Sequence, residues 1–363
     1  MEYPRDLLLK ELDESEKDFK SAVVGYVDKL ISKNLPVIFS LKNLAFLLNM
    51  EYKDLLSIVN NIDWYYAYYT IKKKRGGTRR IVVPYENMKN IQRWILEEIL
   101  EKVSVHSACK GFVKQCGIVD NAKPHVGKNF IRKFDFKDFF ESIDVHRVYG
   151  IFLELGYSKA VSYDLSTLCT IKISDEKYEN LDSSKKKLLR NLHEIPYPVL
   201  AQGAPTSPML ANLVCRSLDA RFDKYSSVNG ISYTRYADDL TFSANDITKL
   251  PSVSFVRKAV EDEGLKLNYS KTGTYGRDSR QMVTGILIDG EHMHVSQKYK
   301  RQIARHLHFC EKFGAKAHFD HIMPGKDNYK EWLYGKIYFL YAVEPATAKA
   351  LLERANKIDW GLL

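Results

Sequence analysis

The sequence predicts an α+β fold, and three observations carry that prediction. Helical spacing of apolar residues dominates the N-terminal region and returns from about Val295 onward. Between these regions lie short aromatic and β-branched runs broken by polar connections, the pattern of antiparallel hairpins. The third observation is Tyr236-Ala237-Asp238-Asp239, flanked on both sides by apolar and aromatic residues within Ile231–Ser243. Two short strands meeting there make a hairpin with Asp238 and Asp239 at its tip. Adjacent carboxylates repel, so such a pair persists when well solvated or when it holds a cation. Alone, it fits a solvated turn as well as a metal site.

A chain of 363 residues suits two or three subdomains, and 45% hydrophobic residues can form a sizeable core. The net charge of +10 suits a polyanionic partner, though it also serves solubility or an anionic membrane surface. Five cysteines (Cys109, Cys116, Cys169, Cys215, Cys310) are scattered without a CxxC pair, so reduced thiols are expected rather than a zinc knuckle or disulfide framework. There is no basic stretch followed by an apolar one at the start, and no run approaches the roughly 18 apolar residues of a membrane span. A soluble, cytoplasmic protein without membrane contact is the expectation.

Residues 1–62 read as a helical region, with Ser40 placed to cap the helix that begins at Leu41. From Trp64 an aromatic strand, a basic Gly-Gly hairpin and a β-branched strand closed by Pro84 follow one another. Lys72, Lys73, Lys74, Arg75, Arg79 and Arg80 crowd its tip, as a phosphate-gripping flap or a solvated loop would require. Residues 85–104 have the spacing of an amphipathic helix (Met88, Ile91, Ile95, Ile99). A Gly-containing loop then leads to Asn121-Ala122-Lys-Pro-His125, where His125 alone reads as a structural histidine.

Phe130–Phe134 reads as a strand ending at Asp135, and Phe136–Phe140 as a turn into a helix. Residues 145–172 read as helical, and 173–197 as a polar surface insertion or loop. In Ala201-Gln202-Gly203-Ala-Pro-Thr-Ser207-Pro208, Ser207 stands where an N-cap belongs and Pro208 where a helix begins. That helix runs to about Tyr225, and another covers 252–263. Leu265–Thr274 reads as a strand and turn containing Lys271, Gln281–Ile288 as the start of a hairpin, and the rest as basic helices with Tyr299, Trp332, Tyr334 and Tyr338 available for stacking.

If the strand ending at Asp135 neighbours the Asp238-Asp239 hairpin, three carboxylates converge. Hard divalent cations prefer such oxygen ligands, and magnesium keeps part of its shell for substrate phosphates. Two ions about 3.5–4 Å apart activate an attacking hydroxyl and stabilise the leaving oxygen, which is most of what phosphoryl transfer needs.

At this point FDFKDFF, QGAPTSPMLAN, YADD, GLKLNYSKT and VTG, in this order, resemble the successive motifs of reverse transcriptases. Asn121, Ala122 and His125 resemble the NAxxH signature of the bacterial retron branch, and Val283-Thr284-Gly285 its VTG element. The resemblance implies a right-hand polymerase: fingers over 63–130, palm over 131–290 including the 173–197 segment, and a helical RNA-binding thumb over 291–363. A packed thumb without specific RNA reading stays open.

The resemblance further implies that Asp135, Asp238 and Asp239 hold two Mg2+ ions, with Phe136 beside metal and substrate. Phe140 matches the steric gate against a ribose 2′-hydroxyl, although a core aromatic is the competing reading. Arg79, in R-x-I-x-x-P, matches the residue gripping the triphosphate, with Lys72 weaker. Gln202 and Gly203 match the loop against template and nucleotide. Lys271 matches a proton donor to pyrophosphate, or is a solvated lysine. Asn121 and His125 are expected in a loop near enough to influence primer or RNA placement. Phe134 stands where an aliphatic residue is more usual, which should matter only to packing.

The implied activity is RNA-directed synthesis of single-stranded DNA (msDNA) from dNTPs on a cognate non-coding RNA (msr-msd). Priming from an RNA 2′-hydroxyl and a role in antiphage defence beside a separate effector protein are implied with it. Two alternatives stand: a bacterial reverse transcriptase using a 3′ primer, and a nucleoprotein scaffold restraining a toxic effector.

Overall fold

The computed structural model describes residues 5–12, 16–72, 78–322 and 328–361, so Lys73, Lys74 and Arg75 of the basic tip lie outside the described residues. The chain forms two compact units, each assembled from separate stretches: 1–107, 136–221 and 253–268 in one, and 108–135, 222–252 and 269–363 in the other.

The first unit opens with helices Arg5–Glu11, Lys17–Ser32, Leu41–Leu47 and Tyr52–Asn60. Ser40 does cap the third: its hydroxyl accepts from the Asn43 amide at 3.2 Å. Strands β1 (Tyr66–Lys72) and β2 (Thr78–Pro84) pair antiparallel, from Tyr66 opposite Pro84 to Lys72 opposite Thr78. Helix Glu86–Glu98 then buries Met88, Ile91 and Ile95 at the predicted spacing. The single helix expected over 145–172 is two, Val145–Leu155 and Lys159–Cys169. Gly156 separates them in the left-handed region (φ +115°), where a side chain is disfavoured, and Ser158 caps the second.

The segment 173–197, expected as an insertion or loop, carries helices Asp175–Glu179 and Ser183–His193, capped by Ser174 and Asp182. Buried Asp63 anchors it: one carboxylate oxygen accepts from the Ser174 amide (2.9 Å) and hydroxyl (2.7 Å). Lys177 donates to the Asp63 carbonyl. At Ser207–Val214 the cap is Thr206, one residue earlier than expected, and its side chain makes no capping bond. Pro208 stands second in the helix, where its missing amide leaves no partner wanting.

The second unit is built on a four-stranded antiparallel sheet, in the order β4-β5-β3-β6, from β3 (Phe130–Asp135), β4 (Ser232–Tyr236), β5 (Asp239–Ala244) and β6 (Gly273–Tyr275). Phe134 is buried and meets Phe242 edge-on at 6.0 Å between centroids, so the unusual aromatic before Asp135 is absorbed by packing. A short hairpin, β7 (Met282–Val283) and β8 (Ile286–Leu287), turns through Thr284 and Gly285, both at positive φ (+46° and +87°). That is the twist a two-residue hairpin demands.

Helices Gln297–Phe313, Ala315–Ile322, Tyr329–Val343 and Pro345–Asn356 complete the unit. They bury Ile303, Leu307, Leu333 and Ile337 in one core with Ala122, Ile131, Val283 and Ile286. Among the described residues, no helix is long and apolar enough to cross a membrane.

Candidate active site

Asp135 is the last residue of β3 and stands directly opposite Asp239, the first of β5. The hairpin turn itself is Ala237-Asp238, since Tyr236 pairs with Asp239. Only Asp238 therefore sits at the tip where both acids were expected. Opposed residues on adjacent strands have close Cβ atoms, so register alone brings Asp135 and Asp239 together.

The turn is held in an unfavourable shape. Ala237 has φ +56°, a region non-glycine residues rarely occupy. The guanidinium of Arg235, fully buried, donates to the Ala237 carbonyl at 3.1 Å. Backbone bonds from Arg235 to Ala108 (2.9 Å) and from Lys110 to Arg235 (2.8 Å) lay residues 108–110 alongside β4. Gly111 then passes so close that a Cβ there would stand 2.5 Å from the Ala237 amide nitrogen. Sequence reasoning missed both Arg235 and Gly111. A cation three residues before Asp238, between two tyrosines in a short strand, was the available signal for Arg235.

The acids crowd one another at Asp239. Burial pushes the Asp239 carboxyl up to about 6; Asp238 and Asp135 push the same way, while Lys133 and Lys271 oppose. Lys271, on a short 3-10 turn, places its ammonium 2.8 and 2.7 Å from the two Asp135 oxygens. Burial works against that ammonium's charge, but the hydrogen bond and charge of Asp135, with Asp238 and Asp239 behind it, raise its pKa. An all-oxygen set that drives one carboxyl toward neutrality and draws in an ammonium has the donor chemistry of a hard divalent cation site. Among the described residues, no three His, Cys, Asp or Glu already surround a single point, so the fit is one of donor type and register.

Asn121 and His125, expected in a loop, lie instead on the short helix Ile118–Ala122 and the 3-10 turn Lys123–His125 that follows it. Asn121, Ala122, His125 and Val283 are buried, Thr284 is half-buried and Gly285 exposed. His125 Nδ1 lies 2.7 Å from the Ser243 hydroxyl on β5, and Nε2 2.8 Å from the Thr234 hydroxyl on β4. Thr234 donates its one proton to the Asn121 carbonyl (3.3 Å), so it accepts from His125 Nε2–H, and Nδ1 accepts from Ser243. Burial, reinforced by Lys128 and Lys133, pushes the imidazole down to about 3, and it stays neutral. A histidine so enclosed does not touch primer or RNA in this conformation.

The remaining expected residues belong to the first unit. Phe136 is buried and stacks on Phe139 (5.0 Å), which meets Phe140 at 5.5 Å. Phe136 and Phe139 are the core aromatics of the run, whereas Phe140 is only half-buried. On the β1–β2 hairpin Lys72 and Arg79 are exposed, but Arg80 is committed to Glu141 (2.5 Å) and the Leu188 carbonyl (3.0 Å). The Gln202 carbonyl accepts from the Val82 amide at 2.9 Å. Gly203, at φ +128°, lies where a Cβ would stand 2.9 Å from the Val82 carbonyl. Its glycine is thus required first by contact with β2.

Residues 71–283 match the reverse transcriptase (RNA-dependent DNA polymerase) family. The chain is 32% identical over 343 residues to the retron Ec86 reverse transcriptase of Escherichia coli, covering 94% of this chain and 96% of that one. The chain belongs to the retron reverse transcriptases. Against the retron Mx162 reverse transcriptase of Myxococcus xanthus it is 33% identical over 313 residues, covering 81% of this chain and 61% of that one. Against the retron Ec83 reverse transcriptase of Escherichia coli it is 30% identical over 298 residues, covering 81% and 86%. This retron reverse transcriptase is accordingly an RNA-directed DNA polymerase, with the right-hand α+β fold of that family. Reverse transcriptase domains generally use divalent metal ions, in keeping with the donor set at Asp135, Asp238 and Asp239.

Proposed function

We propose that the chain copies part of a cognate non-coding RNA (msr-msd) into single-stranded DNA (msDNA), with priming from a 2′-hydroxyl of that RNA. The observation that carries this reading is the pairing of Asp135 with Asp239 beside Asp238 in the turn, in a chain that aligns with a retron enzyme along nearly its whole length. In this reading residues 63–130 serve as fingers, 131–290 as palm and 291–363 as thumb.

Asp135, Asp238 and Asp239 would hold two Mg2+ ions. When bound, the ions lower the pKa of the attacking hydroxyl and neutralise charge on the leaving phosphate. Phe136, directly after Asp135 in the chain, would lie beside metal and substrate. Phe140 excludes a ribose 2′-hydroxyl, and Arg79 grips the triphosphate of the incoming dNTP with Lys72 in support. Gln202 and Gly203 back the strand that carries Arg79. Lys271, which keeps its proton, balances Asp135 and can give that proton to departing pyrophosphate.

Lys298, Arg301, Gln302 and Arg305 line a 540 Å³ groove along helix Gln297–Phe313, and basic side chains on one helical face suit RNA phosphates. Lys336, on helix Tyr329–Val343, lies over the rings of Tyr299 (4.5 Å) on helix Gln297–Phe313 and of Trp332 (4.8 Å) on its own helix, an aromatic-basic cluster between the two. A separate effector protein and a role in antiphage defence complete the reading.

The experiment is primer extension by Asp238→Asn and Asp135→Asn, with sequencing of the copurifying nucleic acid. Loss of Mg2+-dependent synthesis with RNA binding retained supports the assignment, and near-wild-type extension by either variant refutes it. Debranching enzyme applied to the cellular product reads the priming bond, and a product without a 2′–5′ linkage removes that part.

A further inference from the structure

The two signature elements, far apart in the chain, meet inside the second unit. Thr284 donates to the Ile118 carbonyl at 3.1 Å, and the Asn121 amide lies 3.5 Å from the Thr284 hydroxyl. Thr284 is β-branched and sits at φ +46°, a conformation that costs free energy unless its surroundings hold it. Ala122 and Val283, beside these contacts, are wholly buried in the core formed by the C-terminal helices. From the same short segment His125 reaches the other way, bonding β4 and β5 through Thr234 and Ser243. Those strands carry the turn with Asp238 and the paired Asp239.

We propose that Asn121–His125 with Val283–Gly285 form an internal strut, and that His125 is a positioning residue for the metal-holding carboxylates rather than a reader of RNA. The inference rests on the metal-dependent polymerase reading above. Its physical basis is that one neutral imidazole, satisfied at both nitrogens, fixes the separation of two adjacent strands below their turn. Removing it leaves the Thr234 and Ser243 hydroxyls buried and lets the strands shift, and an ångström of misplacement at a reacting centre costs about a hundredfold in rate. Ala122 and Val283 seat the strut in the C-terminal helical core, and the Thr284 contacts tie its two halves together, so the acids and that core share one internal support.

The test uses the full-length chain as wild type, His125→Ala, His125→Asn and Ser243→Ala. Mn2+ binding is read by electron paramagnetic resonance without nucleic acid, hydrogen exchange at residues 232–244, RNA affinity by filter binding, and extension on both the cognate RNA and a plain RNA template with an annealed DNA primer. In His125→Ala the strut predicts Mn2+ affinity lower by about tenfold, faster exchange in β4 and β5, and equal loss of extension on both templates with RNA affinity within about twofold. His125→Asn, which keeps a donor and an acceptor, restores part of each. Ser243→Ala removes one bond only, and shows a smaller change of the same kind even if His125→Ala does not fold.

Unchanged Mn2+ affinity per folded molecule overturns the proposal, because the histidine is then only a stabilising core group. A loss confined to RNA affinity or to the cognate template also overturns it, in favour of RNA reading. A wild type that neither binds Mn2+ nor extends a primer fails the polymerase reading instead.

Discussion

Lys271 closes over Asp135, its ammonium within 2.8 Å of both carboxylate oxygens. The contact gives Lys271 two opposed effects: it competes with a cation for Asp135, and it keeps a proton ready beside the acids. Lys271→Gln should therefore lower the Mg2+ concentration for half-maximal synthesis while slowing the saturated rate by about a hundredfold, the range of general-acid effects. A Mg2+ titration of primer extension separates the two. An unchanged saturated rate would return Lys271 to a solvated lysine.

Phe139 and Phe140 are neighbours with different predicted fates. Phe140→Ala should raise ribonucleotide incorporation relative to deoxynucleotide with little loss of stability, because the ring is only half-buried. Phe139→Ala, in the buried stack with Phe136, should cost about 3–5 kcal/mol without changing sugar preference. Competition between rNTP and dNTP, with thermal unfolding of both variants, checks the pair. An early-melting Phe140→Ala with unchanged sugar preference would make Phe140 a core aromatic.

Gly111→Ala would bring a methyl within 2.5 Å of the Ala237 nitrogen, and neither backbone can yield as a flexible side chain does. The Ala237-Asp238 turn must move. The expected result is a loss of extension of about tenfold to a hundredfold, with a stability cost of about 1–3 kcal/mol. Primer extension corrected for folded fraction reads the first, and denaturant unfolding the second.

His125 makes stability depend on pH in a definite direction. Its folded-state pKa, about 3, lies below the ordinary value of 6.5, so the unfolded chain binds the extra proton first as pH falls. The contribution is intact above about pH 6.5 and is lost on acidification toward 3, at up to about 1.4 kcal/mol per pH unit. His125→Asn cannot titrate, so its stability should decline less steeply across that window. Urea unfolding at successive pH values measures both slopes, and parallel slopes would contradict the burial of the ring.

Local patterns in the chain determined a great deal about this protein. The acids at 135, 238 and 239, the helical spacing at each end and the turn residues were all legible. So were the reverse transcriptase motifs and the retron signature, because strand alternation, turn chemistry and short motifs are properties of neighbouring residues. Caps that compete within a few residues were less legible: Thr206 took the place expected of Ser207, and Ser174 and Asp182 started helices in a polar segment whose apolar stripe is only Leu188, Leu189 and Leu192.

Only the tertiary structure decided what long-range pairing controls. Register set Asp239 against Asp135 and put Asp238 in the turn beside Ala237. Lys271 was brought onto Asp135 from far along the chain, and Arg80 was drawn to Glu141 while Arg79 stayed exposed. The signature shows most plainly why. Asn121-Ala122-Lys-Pro-His125 reads as a polar loop because hydroxyl partners at Thr234, Ser243 and Thr284 are invisible to any local pattern. Burying an imidazole becomes favourable only when both nitrogens find partners, and folding alone supplied them.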